Sequence, residues 1–367
     1  MKFSPFILLL IVPGLLLIVN TCSETSADSS YLFSNYEAHE WETDLPQSHG
    51  LNADKLEIAL GEAHLINFIH SLLIVKNGKL VLEEYFNGYK REDPHVIRSV
   101  SKSILSVLVG FALNDRKIGS PDDSIYKYIP DLFTTGTQDK LRNVTIRNLL
   151  EMKSGIKRDI DFYNEAFNSS NWVKTILSEE LIAEPGTEYN YSTAATHILV
   201  AALTHAIGED LLKYADRKLF DPLGIQCVDW EKDPQGNYFG GNNMFFVPRD
   251  IAYFGQVILD DGMVDNNRLI KQEWLNESFT DTRKEPGTNW GELKNIGYGF
   301  LWWLGKLGEY DVRLAIGHGG QYIIMIPEID MLIVTTCEAY INWDDADRQE
   351  RRMVDLVVNF ILPAVSK

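Results

Sequence analysis

The sequence predicts an α+β protein with an antiparallel sheet built from both chain ends, flanked by helices and interrupted by an inserted, mostly helical lobe. Two strand-like runs, 71–76 and 79–86, are joined by Asn77-Gly78. That dipeptide is a strong hairpin signal, because both central positions of a type I′ turn need positive φ. Strand-like runs return at 298–304, 312–316, 321–326 and 331–337. Short turns such as Gly305-Lys306-Leu307-Gly308 and Pro327-Glu328-Ile329-Asp330 separate them, so neighbours should pair antiparallel. The text between the two groups is loop-rich and helical.

The chain begins with Lys2 and an apolar block, 6–19, broken by Pro13-Gly14. The block is short for a membrane span and suits the apolar region of a signal peptide, so export is expected, to the periplasm or the medium. Cleavage after Ala27 is one reading of residues 1–27. Lipidation of Cys22 is another, although Val19-Asn20-Thr21 is a poor lipobox, and an uncleaved membrane anchor is a third. A polar tail, 28–45, follows. Residues 46–115 form the first part of the α+β lobe, with a helix at 53–68 started near Asn52 or Asp54, the hairpin, and a buried helix from Ser99 to near Asn114. The inserted lobe, 116–248, carries helices at 144–153, 172–178 and 192–207. Residues 249–367 complete the α+β lobe with a helix at 249–260, the late strands, and a closing helix at 347–362 packed on the sheet.

With 367 residues, 45% of them hydrophobic, the chain can bury a large core. A net charge of −18 without a clustered basic face argues against a nucleic-acid partner. Cys22, Cys227 and Cys337 are too few for a disulfide framework; Cys227 and Cys337 are expected as buried thiols, with pairing as the alternative. No Cys/His cluster has metal-ligand spacing, and no phosphate-loop or dinucleotide fingerprint appears. No cofactor is expected.

Three elements carry chemistry. Ser99 and Lys102 lie one turn apart at the start of a helix, where an ammonium can activate a hydroxyl and the helix N-terminus favours developing negative charge. Tyr191, in Glu188-Tyr189-Asn190-Tyr191-Ser192-Thr193, precedes a helix and can point its phenol into a cleft, where a nearby ammonium would lower its pKa enough for it to act as general base. Gly317-His318-Gly319-Gly320-Gln321 leads into a strand, with glycines that permit close backbone approach to a ligand and a strand N–H that can donate to an oxyanion. Each alone also has a plain structural reading: a capping serine with a solvated lysine, a packed tyrosine, a tight turn. Trp302, Trp303, Tyr322 and Trp343 are read as sheet-face core, with an apolar acyl pocket as the alternative.

In this order the three elements resemble the serine beta-lactamase and penicillin-binding protein-like family, in particular its class C-like esterases, DD-peptidases and amide hydrolases. Further blocks share the resemblance, among them Phe220-Asp221-Pro222-Leu223-Gly224-Ile225, Gly240-Gly241-Asn242-Asn243-Met244 and Gly297-Tyr298-Gly299-Phe300-Leu301-Trp302-Trp303. The resemblance runs from about residue 45 to the C-terminus. It implies Ser99 as acylated nucleophile, Lys102 as its activating partner and Tyr191 as general base. His318-Gly319-Gly320 would stand in for Lys-Thr-Gly on the sheet edge, with the N–H groups of Ser99 and Gln321 as the oxyanion hole. Thr193 occupies a position where the family usually has Asn, and His318 one where it has Lys, which lowers the positive charge offered to a substrate carboxylate. The expected activity is therefore that of an exported serine hydrolase acting on a small ester or neutral amide. Beta-lactamase or DD-peptidase activity is the alternative, and a non-catalytic binding or sensor protein on the same fold is the second alternative.

Overall fold

The computed structural model describes residues 37–133, 139–283, 285 and 287–366; the expected leader, with Cys22 and Ala27, lies outside the described residues. A helix, α1 (Ala53–His64), is started by Asn52, whose side chain accepts from the Lys55 N–H at 3.0 Å. The hairpin follows as β1 (Ile69–Lys76) and β2 (Lys79–Tyr85), with Asn77 and Gly78 at φ 51° and 72° as the turn requires. A short strand, β3 (His95–Val96), leads into α2 (Val100–Asn114).

The middle region contains α3 (Ile146–Leu150), α4 (Asp159–Phe167), α5 (Trp172–Ser178), α6 (Thr193–Ile207), α7 (Leu211–Ala215) and the single turn α8 (Asp221–Leu223). Of two short strands, β4 (Asp229–Trp230) and β5 (Met244–Phe246), β5 is the middle one and pairs with both β4 and β3. The chain then runs through α9 (Pro248–Leu259), the small hairpin β6 (Met263–Val264) and β7 (Asn267–Arg268), and α10 (Gln272–Ser278). The rest is β8 (Leu293–Tyr298), β9 (Trp303–Leu307), β10 (Tyr310–Gly317), β11 (Gln321–Ile326), β12 (Met331–Cys337) and α11 (Trp343–Leu356). No helix among the described residues is long and apolar enough to cross a membrane.

Among the described residues, seven strands form one antiparallel sheet in the order β2-β1-β12-β11-β10-β9-β8, so the early hairpin and the late strands meet where β1 pairs with β12. The α+β architecture expected from the sequence is the one observed. Successive side chains along a strand point to opposite faces, and both faces are buried. Leu73, Val75, Ile323, Met325, Leu332 and Val334 join the core shared with α2, α6 and α9. Their neighbours Leu72, Ile74, Ile324, Ile326, Met331 and Ile333 join a second core under α1 and α11. This double cover is why the strands read as continuous apolar runs rather than alternating ones.

Several boundaries differ from the sequence reading. The first helix stops at His64, because Ile66 turns back onto Ala63 and Asn87 donates to the Ile66 and Ile69 carbonyls, committing the chain to β1. The helix expected at 144–153 is only α3; Met152, at φ 56°, ends it, and the Lys153 N–H closes onto Asn148 O. The run 298–304 is not one strand. It breaks at a corner where Leu301, at φ 61°, donates to Leu150 O and accepts from Ser103 Oγ. The turn expected at 305–308 falls later, with Gly305 to Leu307 inside β9 and Gly308 turning at φ 58°. The closing helix begins at Trp343, capped by Asn342.

Nor are residues 38–44 a free tail. Trp41 is buried and donates through Nε1 to Arg249 O, and the Glu42 and Asp44 main chain bonds with Leu80, covering the edge strand β2. Cys227 and Cys337 are separate, buried free thiols.

At the start of β1, His70 Nδ1 lies 3.3 Å from His95 Nδ1, both buried, with His70 stacked on Tyr89. Burial lowers the His70 pKa from 6.5 to about 4, and burial together with the facing imidazole lowers His95 to about 3. A base whose folded pKa is depressed leaves the fold most stable above its unfolded value and costs stability as pH falls towards the folded one, because the unfolded chain takes up the proton first. The melting temperature should therefore fall as pH drops from about 6.5 towards 4. His70→Phe, which keeps a ring on Tyr89, should flatten that slope in a thermal melt series; parallel slopes for the two proteins would refute it.

Candidate active site

The peptide that delivers Ser99 is strained. Ile97 N–H bonds to Met244 O, Arg98 adopts φ 47°, and Ser99 then starts α2 at φ −70°, ψ −4°. A non-glycine residue in the left-handed region must be held there. Arg98 is held by Nη1 donating to Asn243 Oδ1 at 2.9 Å and Nη2 to Ala339 O at 2.8 Å, with Tyr340 packed on the guanidinium. The sharp turn presents Ser99 to a cavity of about 320 Å3.

Lys102 lies beneath Ser99, one turn along α2 and 1% exposed. Its Nζ donates to Ser99 Oγ at 2.9 Å, Thr193 Oγ1 at 2.9 Å and Gly241 O at 2.8 Å. Burial brings its pKa down to about 8, against the opposing pull of the Asp159 carboxylate. Gly241 has to be glycine here, since at φ 74° a Cβ would sit 2.4 Å from Lys102 Cγ.

Tyr191 lies in the segment before α6, its ring 5.0 Å from Lys102 Nζ and stacked on Trp303. The sequence reading expected a nearby ammonium to lower its pKa. The structure gives the reverse: burial and the Asp159 charge push the phenol well above its ordinary value, with a Ser99 hydrogen bond only partly offsetting them. Thr193 opens α6, with Ser192 as its cap, and links Lys102 to Asp159: its N–H donates to Asp159 Oδ1 and its hydroxyl to Oδ2 at 2.7 Å. Sequence reasoning missed Asp159. Helix α4 was read as loop, and the one local signal was an acidic residue in a first turn followed by apolar Phe162 and Ala166.

His318-Gly319-Gly320 is the turn between β10 and β11 rather than a strand edge. Of these residues only His318 lines the cavity. Burial lowers its pKa, and its Nε2 meets Ile341 O at 2.9 Å. Gly319 and Gly320 serve the turn, not a ligand. Their φ values are 85° and 101°, and a Cβ would lie 2.5 Å from Glu338 O or 3.1 Å from Cys337 Sγ. The Gly319 N–H donates to Glu350 Oε1, and burial raises the Glu350 carboxyl to about 7.

Gln321 does not reach the cavity. It lies on β11, flanked on both sides by β10 and β12, and its side chain clamps the Cys337 main chain. The edge facing Ser99 is the end of β10, where a Cβ on Gly317 would lie 2.4 Å from Ile97 O. Gly317 pairs with Gln321, so by the alternation of an antiparallel ladder the main chain of Ile316 faces the opposite edge. There β9 begins only at Trp303, opposite Leu314, and no strand among the described residues lies opposite Ile316. Ile316 lines the cavity. Trp303 and Trp343 also line it, whereas Trp302 and Tyr322 are core. Among the described residues no group of three or more His, Cys, Asp or Glu is arranged to hold a metal ion.

The geometry can be set beside known proteins. The chain is 23% identical over 297 residues to the 6-aminohexanoate-dimer hydrolase of Paenarthrobacter ureafaciens, covering 76% of this chain and 73% of that protein. Its fold is similar to that of a D-stereospecific amidohydrolase from Streptomyces sp., with TM-score 0.63 and 18% identity over 83% of this chain and 98% of that one. It is also similar to an octameric penicillin-binding protein homologue from Pyrococcus abyssi, with TM-score 0.64 and 17% identity over 86% and 78% of the two chains. The Beta-lactamase family model matches residues 70–357, which hold every side chain placed around Ser99 above, and the chain belongs to that family.

Proposed function

We propose that the protein hydrolyses an ester or neutral amide through an acyl-Ser99 intermediate, with Lys102 as the base. The observation that carries this reading is the Lys102 ammonium, desolvated, lowered to about 8 and bonded to Ser99 Oγ. In its amine form Lys102 takes the Ser99 proton as Oγ bonds to the substrate carbonyl carbon. The Ser99 and Ile316 N–H groups receive the oxyanion. Collapse of the tetrahedral species breaks the bond to the leaving alcohol or amine, which takes the proton that Lys102 received from Ser99, beside the Tyr191 hydroxyl hydrogen-bonded to Ser99. Water then attacks the acyl carbon, gives its proton to the amine and releases the acid and Ser99.

The Paenarthrobacter protein is named a 6-aminohexanoate-dimer hydrolase and the Streptomyces protein an amidohydrolase, and a neutral ester or amide fits the charges here. His318 is held towards its neutral form, and two nitrogens of Arg98 are committed to protein acceptors. Export is part of the proposal, supported by the apolar block 6–19 with its Pro13-Gly14 break.

Intact-mass spectrometry after incubation with a fluorophosphonate should show one adduct on the protein and none on Ser99→Ala. Failure to label the folded protein would refute the hydrolase reading. Penicillin should leave no stable adduct, and a persistent one would move the substrate class to peptidoglycan peptides. Lys102→Met should slow labelling at least about 100-fold, as expected for loss of a general base. Tyr191→Phe should react more slowly yet keep a rising pH–rate limb near 8, because that limb belongs to Lys102. Loss of the limb in Tyr191→Phe would return the role of base to the phenol.

A further inference from the structure

All three hydrogens of the Lys102 ammonium have acceptors: Ser99 Oγ, Thr193 Oγ1 and Gly241 O. The Thr193 contact works only if the hydroxyl presents a lone pair, since an ammonium has donors and no acceptor. A free threonine hydroxyl can rotate its hydrogen to any side. Here Asp159 removes that freedom by taking the hydroxyl hydrogen on Oδ2 and the Thr193 N–H on Oδ1, which fixes the threonine from two directions. The result is a directed chain running from Ser99 Oγ to Lys102, Thr193 and then a carboxylate. Its last member stands on α4, a helix from a different part of the lobe.

Resting on the hydrolase reading above, we infer that Asp159 is a positioning residue of this site: acting through Thr193, it fixes the hydroxyl as an acceptor for Lys102 and holds the lysine on Ser99. The carboxylate thus supplies an orientation that an asparagine at position 193 would have supplied through its own amide, and that threonine alone lacks. It also sets the charge balance. Ionisable groups facing it are Lys102 from α2, Tyr191 from the segment before α6, and Tyr163 from its own helix, with Tyr189 and Tyr298 further off. Arg98 and Glu350 stand on other walls of the cavity. Of the facing groups Lys102 is the cation, so the Asp159 anion favours its ammonium form and delays release of the amine as pH rises.

The test follows the rate of fluorophosphonate labelling and kcat/KM for p-nitrophenyl acetate against pH, using the full chain. The unmodified protein should show a rising limb near pH 8. Asp159→Asn should lower the plateau and move the limb down by about one pH unit or more, as expected for removal of a nearby opposite charge, with KM little changed. Thr193→Val should move the limb the same way with Asp159 still present, and Thr193→Ser, which keeps the hydroxyl, should restore it. A folded Asp159→Asn protein with an unmoved limb overturns the inference. So does a change in KM alone, which would make Asp159 a substrate contact. If Asp159→Asn does not fold, the Val and Ser pair at position 193 decides on the same criterion. An unmodified protein that does not label at any pH refutes the hydrolase reading itself, whereas a labelled protein with unmoved limbs in its variants refutes only the role of Asp159.

Discussion

A lysine ammonium in a dry interior is the constraint from which the rest of this site follows. Burying such a charge costs several kcal/mol unless its hydrogens are accepted, so the protein must bring three oxygens to one point. They come from three places in the sequence: Ser99 from the same helix, Thr193 from the start of α6, and Gly241 from the segment before β5. Each then carries its own requirement. Ser99 needs Arg98 at positive φ, Gly241 tolerates no Cβ against Lys102 Cγ, and Thr193 needs an acceptor for its hydrogen. The same burial that makes Lys102 demanding also makes it useful, because an amine released near pH 8 can take a proton that an ordinary lysine would not.

The sheet supplies the rigid side of this arrangement. Because β1 pairs with β12, the early hairpin and the late strands are joined in one sheet. Helices on each face leave few ways for β10 to shift. The end of β10 then packs on the Ile97–Arg98 peptide, so the nucleophile turn and the strand that would bind an oxyanion are one contact apart. Helix α11 and the segment before it lock the far side of that strand's turn, the helix through the Glu350 carboxylate on the Gly319 N–H and the preceding segment through the Ile341 carbonyl on His318.

What the sequence disclosed depended on whether the controlling interaction was local. The Asn77-Gly78 turn, the α2 helix with Ser99 and Lys102 on one side, and the Ser192-capped α6 all rest on residues within a few positions of each other, and all are present. The oxyanion strand was misread because His318-Gly319-Gly320 was matched by likeness to a strand motif. Two successive positive φ values make it a turn and move the facing edge back to Ile316. Asp159 was missed for a different reason. It meets Thr193 across 34 residues, and nothing in Arg158-Asp159-Ile160 by itself reports a partner in another helix. The direction of the Tyr191 shift was misjudged because its burial and the Asp159 charge depend on tertiary placement.

Charge placement also bears on what the cavity accepts. Cations placed at Ser99 among the described residues include Lys102, bonded on all three hydrogens, and Arg98, anchored to Asn243 and Ala339. His318 is held towards its neutral form, and the remaining ionisable walls include Asp159 and Glu350. On the hydrolase reading proposed above, an anionic group on the substrate would compete for Arg98 with the contacts through which its two Nη atoms hold the nucleophile turn. A neutral carbonyl compound makes no such demand. The aromatic walls of Trp303 and Trp343 line the cavity it would enter. On that reading the contacts that secure Arg98, and so keep Ser99 in place, also disfavour a substrate carboxylate.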